Sequence, residues 1–356
     1  MNLGSFKTIA VLQTAFIGDT LLSLLFLDQI KLINPNCKIL FISLEKYDSI
    51  LKLSNSIDKL IYLDKKGKHK NLNNLITFSK SLRDYKIDLF ISLHLSLRST
   101  LIAKLSGANY SVSFKESAFS FLYSKTTKRL FHLHETEKNI ELLKLFKDYN
   151  TWDIAKKNDI QNGYLKANLD LSLIPTDDIE NILPNNTKKT VILSPGSVWE
   201  TKKWGKEKFQ ALCKKLLKNN FNVFISGGDE DIELCKFIKD NSEAIITAGV
   251  FTLSQSLLLF TKADIIISND SAPIHFGTLI NIPTIAIYGP TDPIFGFYPL
   301  SQNSISVYTE KLDCRPCEIH GSNQCPLGTH KCMDIIETDL IIDKLELILK
   351  NKVSLN

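Results

Sequence analysis

"TIAVLQTAFIGDTLLSLLFLDQIKLI", residues 8–33, decides the fold. Residues 8–13 are nearly all apolar and read as a strand; after Gly18, residues 19–33 read as a long helix. A strand apolar on both faces and followed at once by a helix is the first half of a parallel β-α-β unit. The turn between them carries one carboxylate, Asp19. Working outward, the alternation repeats. Strands are expected at 37–43, 59–64, 88–93 and 110–114, with helices at 46–53, 71–83, 98–106 and 135–148. The pattern dissolves into polar residues over 149–189, with Pro175, Pro184 and "PNNTKK", and then restarts. Strands follow at 190–194, 222–226, 244–247, 264–268 and 284–289, and helices at 206–219, 229–240, 252–261, 271–280 and 338–351.

This is an α/β chain of two doubly wound, Rossmann-like domains of similar size facing each other across a cleft. The boundaries are read as 1–170 and 190–356, with 171–189 as linker and the last helix a candidate to pack back toward the first domain. Ligands of such sheets bind beyond the carboxyl ends of the strands. Gly18, Gly196, Gly227, Gly228 and Gly289 sit just after expected strands, where a tight turn or a close ligand needs them.

The composition is that of an ordinary soluble protein: 44% hydrophobic and 23% charged over 356 residues. No apolar run is long enough to span a bilayer, and "MNLGSFKTIAVL" lacks a signal peptide's features, so a cytoplasmic protein is expected. The charge, 43 − 38 = +5, suits an anionic substrate or membrane surface, while scattered basic residues and the lack of any motif argue against nucleic acid. Seven cysteines without a signal peptide argue against a disulfide framework.

Each candidate motif carries a bland reading beside a chemical one. Asp19 is either a first-turn acid favoured by the helix dipole or a general base, and the stretch alone favours the former. "SPGSVWETKKWGKEKF" (194–209) is either a solvated basic loop or a diphosphate cradle at a helix start, with Trp204 able to staple the helix against Phe209. "SGGDEDIELC" (226–235) holds Asp229, Glu230 and Asp231; acids in a first helical turn need no metal, and a carboxylate there also suits ribose hydroxyls. In "SNDSAPIHFG" (268–277), Asn269 to Ala272 open a helix with Pro273 in its first turn; Asp270 suits sugar hydroxyls, and His275 is either a ligand contact or a packed histidine. "YGPTDP" makes a second strand-end turn. "CRPCEIHGSNQCPLGTHKC" places Cys314, Cys317, Cys325 and Cys332 at ligand-like spacing, which reads as a structural zinc site or as reduced thiols.

"AFIGDTLLS", "SPGSVWETKKW", "SNDSAPIHFG" and "IYGPTDP", in this order, resemble the ADP-heptose:lipopolysaccharide heptosyltransferases, GT-B glycosyltransferases of family 9. The resemblance runs from about residue 8 to 335, and "CRPC…CPLGTHKCM" looks like the heptosyltransferase II branch. It implies a GT-B-type pair of domains, the first binding the acceptor and the second the nucleotide sugar. It implies inverting transfer of heptose from ADP-L-glycero-D-manno-heptose to heptosyl-Kdo2-lipid A, the second core heptose. Asp19 takes the role of general base. Lys202 meets the donor diphosphate, Lys203 being the intervening residue. Ser197 is the hydroxyl ahead of it, where Val198 departs from the pattern. Glu230 binds the nucleoside, with Asp229 its competitor. Asp270 binds the donor sugar, and Ser271, Ala272 and His275 lie at the phosphates.

No cofactor or catalytic metal is required by this chemistry. The partners implied are the nucleotide-sugar donor and an anionic glycolipid acceptor, with peripheral contact at the cytoplasmic face of the inner membrane of a Gram-negative bacterium. Lys65, Lys66, Lys68, Lys125, Lys128, Arg98 and Arg129 are candidates to meet the acceptor's anions, or are ordinary surface. "SAFSFLYS" (117–124) is either a membrane-edge or acceptor loop, or core. The alternatives are a related transferase with another acceptor or donor, a GT-B-fold sugar-nucleotide epimerase, and a non-catalytic nucleotide-sugar binder.

Overall fold

The computed structural model describes residues 1–151 and 166–353. They fall into two compact units, one holding the residues up to 151 with Ala167–Asp170, the other the residues from Leu171 on.

The first unit is built on six parallel strands: β1 (Thr8–Leu12), β2 (Lys38–Ser43), β3 (Lys59–Tyr62), β4 (Leu89–Ser92), β5 (Tyr110–Phe114) and β6 (Lys125–Thr127), in the order β3-β2-β1-β4-β5-β6. Ala10 in the middle of β1 pairs in register with Leu40 on one side and Phe90 on the other. The helices of this unit longer than one turn are α1 (Ile17–Ile33), α2 (Leu72–Ser81), α3 (Leu97–Leu105) and α4 (Glu135–Ile140). The second unit repeats the plan with β7 (Thr190–Ser194), β8 (Asn222–Ile225), β9 (Ile245–Ile246), β10 (Ile265–Asn269), β11 (Thr284–Tyr288) and β12 (Ile305–Tyr308), ordered β12-β11-β10-β7-β8-β9. Its helices are α5 (Lys206–Lys218), α6 (Ile232–Lys239), α7 (Leu253–Phe260), α8 (Ala272–Ile280) and α9 (Thr338–Val353). Counted within each unit, both sheets run third-second-first-fourth-fifth-sixth, the doubly wound order in which the switch point lies beside the first strand. The central strands β7, β10 and β11 are buried at every position, as a sheet covered on both faces requires.

The expected strands and most helices are present within a residue or two. Two strands went unread, β6 and β12. Both are edge strands: "KTT" is polar, and in "ISVY" only one residue is buried. The expected helix 135–148 stops at Ile140 and continues as tight 3-10 turns from Glu141 to Leu145 and from Lys147. Those turns let Leu142, Leu143 and Phe146 all reach the core, which a continuous helix spaces differently. Of the expected polar gap, 152–165 lies outside the described residues. Ala167–Asp170 returns to the first unit through a bridge between Ser54 and Leu169 and an Asn168 N–H bond to Asp28 (2.9 Å). The stretch 171–189, expected as linker, is docked on the second unit: Ile174 and Ile179 are buried, and Gln255 donates to Asp178 (3.2 Å). The last helix, α9, buries Ile341, Leu345 and Ile348 in the second unit's own core.

Gly277 sets how closely α8 lies on the sheet. A Cβ there falls 2.2 Å from Thr284 Oγ1 and 3.1 Å from the Ile282 carbonyl. Both obstacles belong to the tight α8–β11 connection, which has little room to yield. Gly277→Ala is expected to cost about 2 kcal/mol, read as a lowered midpoint in chemical denaturation; an unchanged midpoint means the helix can lift without cost.

Candidate active site

In the first unit, Asp19 stands at the carboxyl end of β1, in the first turn of α1. Asp19 is the acid of the helix's first turn, where the nearby backbone N–H groups of Phe16 and of Asp19 itself favour its charged form. Yet its pKa is pushed up to about 7, first by removal from water and then by the charge of Glu135, with Arg129 partly opposing. Glu135 is buried at the start of α4 and is held by Arg129 (2.5 Å) and Lys138 (3.5 Å). Lys138 is itself buried, and Asp19 helps to offset the loss of hydration of its ammonium. Two acids and two bases thus share one partly dry site, with Glu135 and Lys138 buried and Asp19 and Arg129 only partly accessible. A carboxylate poised near neutrality is what a general base needs.

In the second unit, the strand ends build a different arrangement. Asp270 follows β10, and its Oδ2 accepts from Lys202 Nζ (2.7 Å) and Thr291 Oγ1 (2.7 Å). Asp270 and Thr291 are buried, and Lys202 nearly so. Asn269, fully buried, ties the 195–204 turn to the end of β10: its amide donates to the Pro195 carbonyl (2.6 Å) and its oxygen accepts the Trp204 N–H (3.1 Å). Trp204 packs edge-on against Phe209 with centroids 5.0 Å apart and donates its indole N–H to the Ile336 carbonyl (2.9 Å). The staple expected from sequence is therefore formed, and it fixes the backbone from which Lys202 projects. Ser271 is the N-cap of α8, makes no side-chain capping bond, and is followed by Pro273 in the first turn. The helix start at Ala272 thus presents uncapped N–H groups at the same edge as Lys202. His275 is buried, with its pKa lowered to about 4 chiefly by loss of hydration, so it is neutral. Among the described residues, His275 Nδ1 and Ser194 Oγ are buried without a hydrogen-bond partner.

The remaining expected residues separate. Ser197 accepts the Trp199 N–H (3.3 Å) and stays partly accessible, and Val198 is exposed. Glu230 is exposed beyond β8. Asp231 turns inward onto the Gly228 N–H (3.1 Å) and fills the space a Cβ at Gly196 or Gly227 would take, so the acidic triplet splits into one structural and two free carboxylates. Lys65 donates to the Thr14 carbonyl, and Arg98 spends its guanidinium on the carbonyls of Lys65, His69 and Lys70. Both brace turns and are not free anion receptors.

The cysteine-rich segment is a strap over this edge. Thr201 and Ser322 exchange three bonds of 2.8–3.0 Å, N–H to carbonyl, hydroxyl to carbonyl, and N–H to hydroxyl. Gly321, at φ +85°, brings its Cα so close that a Cβ would lie 3.1 Å from Lys202 Cγ. Arg315 donates to the carbonyls of Gly289 (2.9 Å), Thr291 (2.6 Å) and Thr309 (3.0 Å). All four cysteines line one cavity of about 220 Å³. Among the described residues no three His, Cys, Asp or Glu side chains are placed to hold a metal ion. Cys317 Sγ is turned onto the Cys314 carbonyl (2.8 Å), and Cys332 belongs to the apolar core.

Thr291, Arg315, Glu135 and Lys138 were not singled out from sequence. Thr291 lies inside the "YGPTDP" turn that was, so the signal was present there; Glu135 reaches Asp19 only through the packing of α4 beside α1.

Residues 75–327 match the sequence profile described as glycosyltransferase family 9 (heptosyltransferase). The chain belongs to glycosyltransferase family 9. It is 27% identical over 311 residues to a lipopolysaccharide heptosyltransferase 1 of Campylobacter coli, a match covering 83% of this chain and 88% of that one. The solved structure of a family 9 glycosyltransferase from Veillonella parvula superposes with a TM-score of 0.80 at 22% identity, covering 99% and 98% of the two chains. That of Escherichia coli ADP-heptose LPS heptosyltransferase II gives 0.76 at 18% identity, covering 97% and 99%. The fold of this glycosyltransferase is therefore of the GT-B type.

The raised pKa of Asp19 carries a stability signature for this enzyme. A carboxyl whose pKa is higher folded than unfolded stabilises fully below the unfolded value near 3.8, and that contribution is lost as pH rises through about 7. Asp19→Asn is therefore expected to gain about 1–3 kcal/mol on the parent between pH 4 and pH 8. Denaturation midpoints at both pH values check it; a difference that does not change with pH contradicts the raised pKa.

Proposed function

We propose that this glycosyltransferase transfers a heptose from ADP-L-glycero-D-manno-heptose to the inner core of lipopolysaccharide, placing the second core heptose on heptosyl-Kdo2-lipid A with inversion. The observation that carries the reading is Asp19, a carboxylate drawn up to about 7 at a strand-end edge, in a family of heptosyltransferases. The ADP-heptose named for the E. coli structure supports the donor, and the core-building relatives support the acceptor.

In the reaction, Asp19 takes the proton of an acceptor hydroxyl as that oxygen bonds the anomeric carbon. The bond from that carbon to the diphosphate oxygen breaks, and ADP leaves with the electron pair. Lys202 and the uncapped start of α8, at Ser271 and Ala272, meet the developing charge on the diphosphate. Neutral His275 lies beside them as a hydrogen-bonding group. Asp270 holds sugar hydroxyls, Ser197 the phosphate edge, and Glu230 the nucleoside. Lys202 and Asp270 are bonded to each other, so the diphosphate must compete for the ammonium. No cofactor or metal enters. The work is placed at the cytoplasmic face of the inner membrane, and no helix among the described residues is long and apolar enough to cross it.

The test is a panel of ADP-heptose, ADP-glucose, UDP-glucose and GDP-mannose, each with and without heptosyl-Kdo2-lipid A, read by nucleotide release and acceptor mass. ADP release that needs both ADP-heptose and that acceptor, with one heptose added, is expected. Activity should rise with pH through about 7 and move to lower pH by roughly half to one unit in Glu135→Gln, which removes the like charge. Use of another donor overturns the substrate; ADP release without acceptor favours an epimerase or hydrolase.

A further inference from the structure

The first unit carries an apolar tip that its core does not use. In the connection from β5 to β6, the burial pattern is reversed. Ser117 is 5% exposed and bonds Ser113 (2.7 Å), while Phe119 and Phe121 are 53% and 78% exposed and pack edge-on against each other with centroids 5.8 Å apart. Phe119 holds a left-handed backbone at φ +52°, unusual for a bulky side chain. Phe131, just past β6, is 63% exposed. Hydrogen bonds put these segments at one end of the sheet. Lys115 N–H bonds the Thr127 carbonyl, Arg129 N–H bonds Glu116, and Ala118 N–H bonds the Leu95 carbonyl, next to exposed Leu97 at the start of α3.

Lysines surround this tip. Lys115, Lys125 and Lys128 are exposed and make no ion pair among the described residues. With Arg129 paired to Glu135, the tip's balance over residues 115–132 is Lys115, Lys125 and Lys128 against Glu116, 3 − 1 = +2. Clustered exposed aromatics mark an interaction surface. Here they stand exposed on the short connections before and after β6, and exposed lysines flank them in sequence. That combination fits a bilayer: rings enter the headgroup–acyl boundary while lysines meet anionic headgroups.

We propose that Phe119, Phe121 and Phe131, with Lys115, Lys125 and Lys128, form a docking surface for an anionic lipid bilayer. The surface draws on lipid chemistry alone and does not depend on which sugar or acceptor the enzyme uses.

The experiment is co-sedimentation of the full chain with vesicles of 30% phosphatidylglycerol in phosphatidylethanolamine, and with phosphatidylcholine vesicles as control. Binding to the anionic vesicles that weakens with salt is expected. Phe119→Ser/Phe121→Ser/Phe131→Ser and Lys115→Glu/Lys125→Glu/Lys128→Glu should each weaken partition roughly tenfold or more, at an unchanged melting temperature. In Phe121→Trp, brominated lipids should quench the added fluorescence. No binding of the parent to anionic vesicles, or equal binding by both triple variants, overturns the proposal. So does a self-associating parent that the phenylalanine variant makes monomeric, which would assign the tip to a second copy. Nucleotide release with a detergent-solubilised acceptor is the separate readout, so loss of docking and failure of heptosyl transfer are distinguishable.

Discussion

The second unit is organised around one buried ion pair, Lys202 with Asp270. Removing two charges from water is expensive, and the attraction recovers it only with good geometry and further bonds. Those conditions are met by residues from four separated segments. Thr291 supplies a second donor to the same oxygen, Asn269 fixes the turn that carries Lys202, and Trp204 anchors that turn to the core. Arg315 and the Thr201–Ser322 bonds clamp the surrounding loops. A ligand that offers Lys202 phosphate oxygens changes that balance, which is how a stabilising contact and a binding group can be the same atoms.

The first unit uses the opposite arrangement. Among the described residues no cation is bonded to its carboxylate, Asp19; Arg129 and Lys138 are bonded to Glu135 instead. Glu135 therefore acts on Asp19 as a like charge beside a partly dry site, and ionisation is disfavoured up to about pH 7. The cost is borne as stability and returned as basicity near neutral pH. Both devices stand at the carboxyl ends of parallel strands, where the doubly wound order opens the sheet to ligands.

Much of this was legible in the chain. The central strands are continuous apolar runs, so β1, β4, β7, β10 and β11 announce themselves, as do the turns that end in Asp19, Lys202 and Asp270. What stayed hidden depends on contacts distant in sequence. Whether Asp19 is a cap or a base rests on its burial and on Glu135 across a helix pair, and the structure gives the same first-turn carboxylate the raised pKa. Arg315 lies between two cysteines that invited a metal reading; its own job is to hold backbone carbonyls. The edge strands β6 and β12 carry too little apolar pattern to be read without their neighbours.

The central claim is that Lys202 is shared between Asp270 and a bound diphosphate. Titration of ADP into the parent, Lys202→Met and Asp270→Asn, followed by calorimetry, tests it most directly. The account predicts that Lys202→Met binds ADP roughly tenfold or more weakly, while Asp270→Asn, which frees the ammonium, binds it more tightly than the parent. Equal weakening in both variants would contradict it, because the pair would then only hold the loops in place.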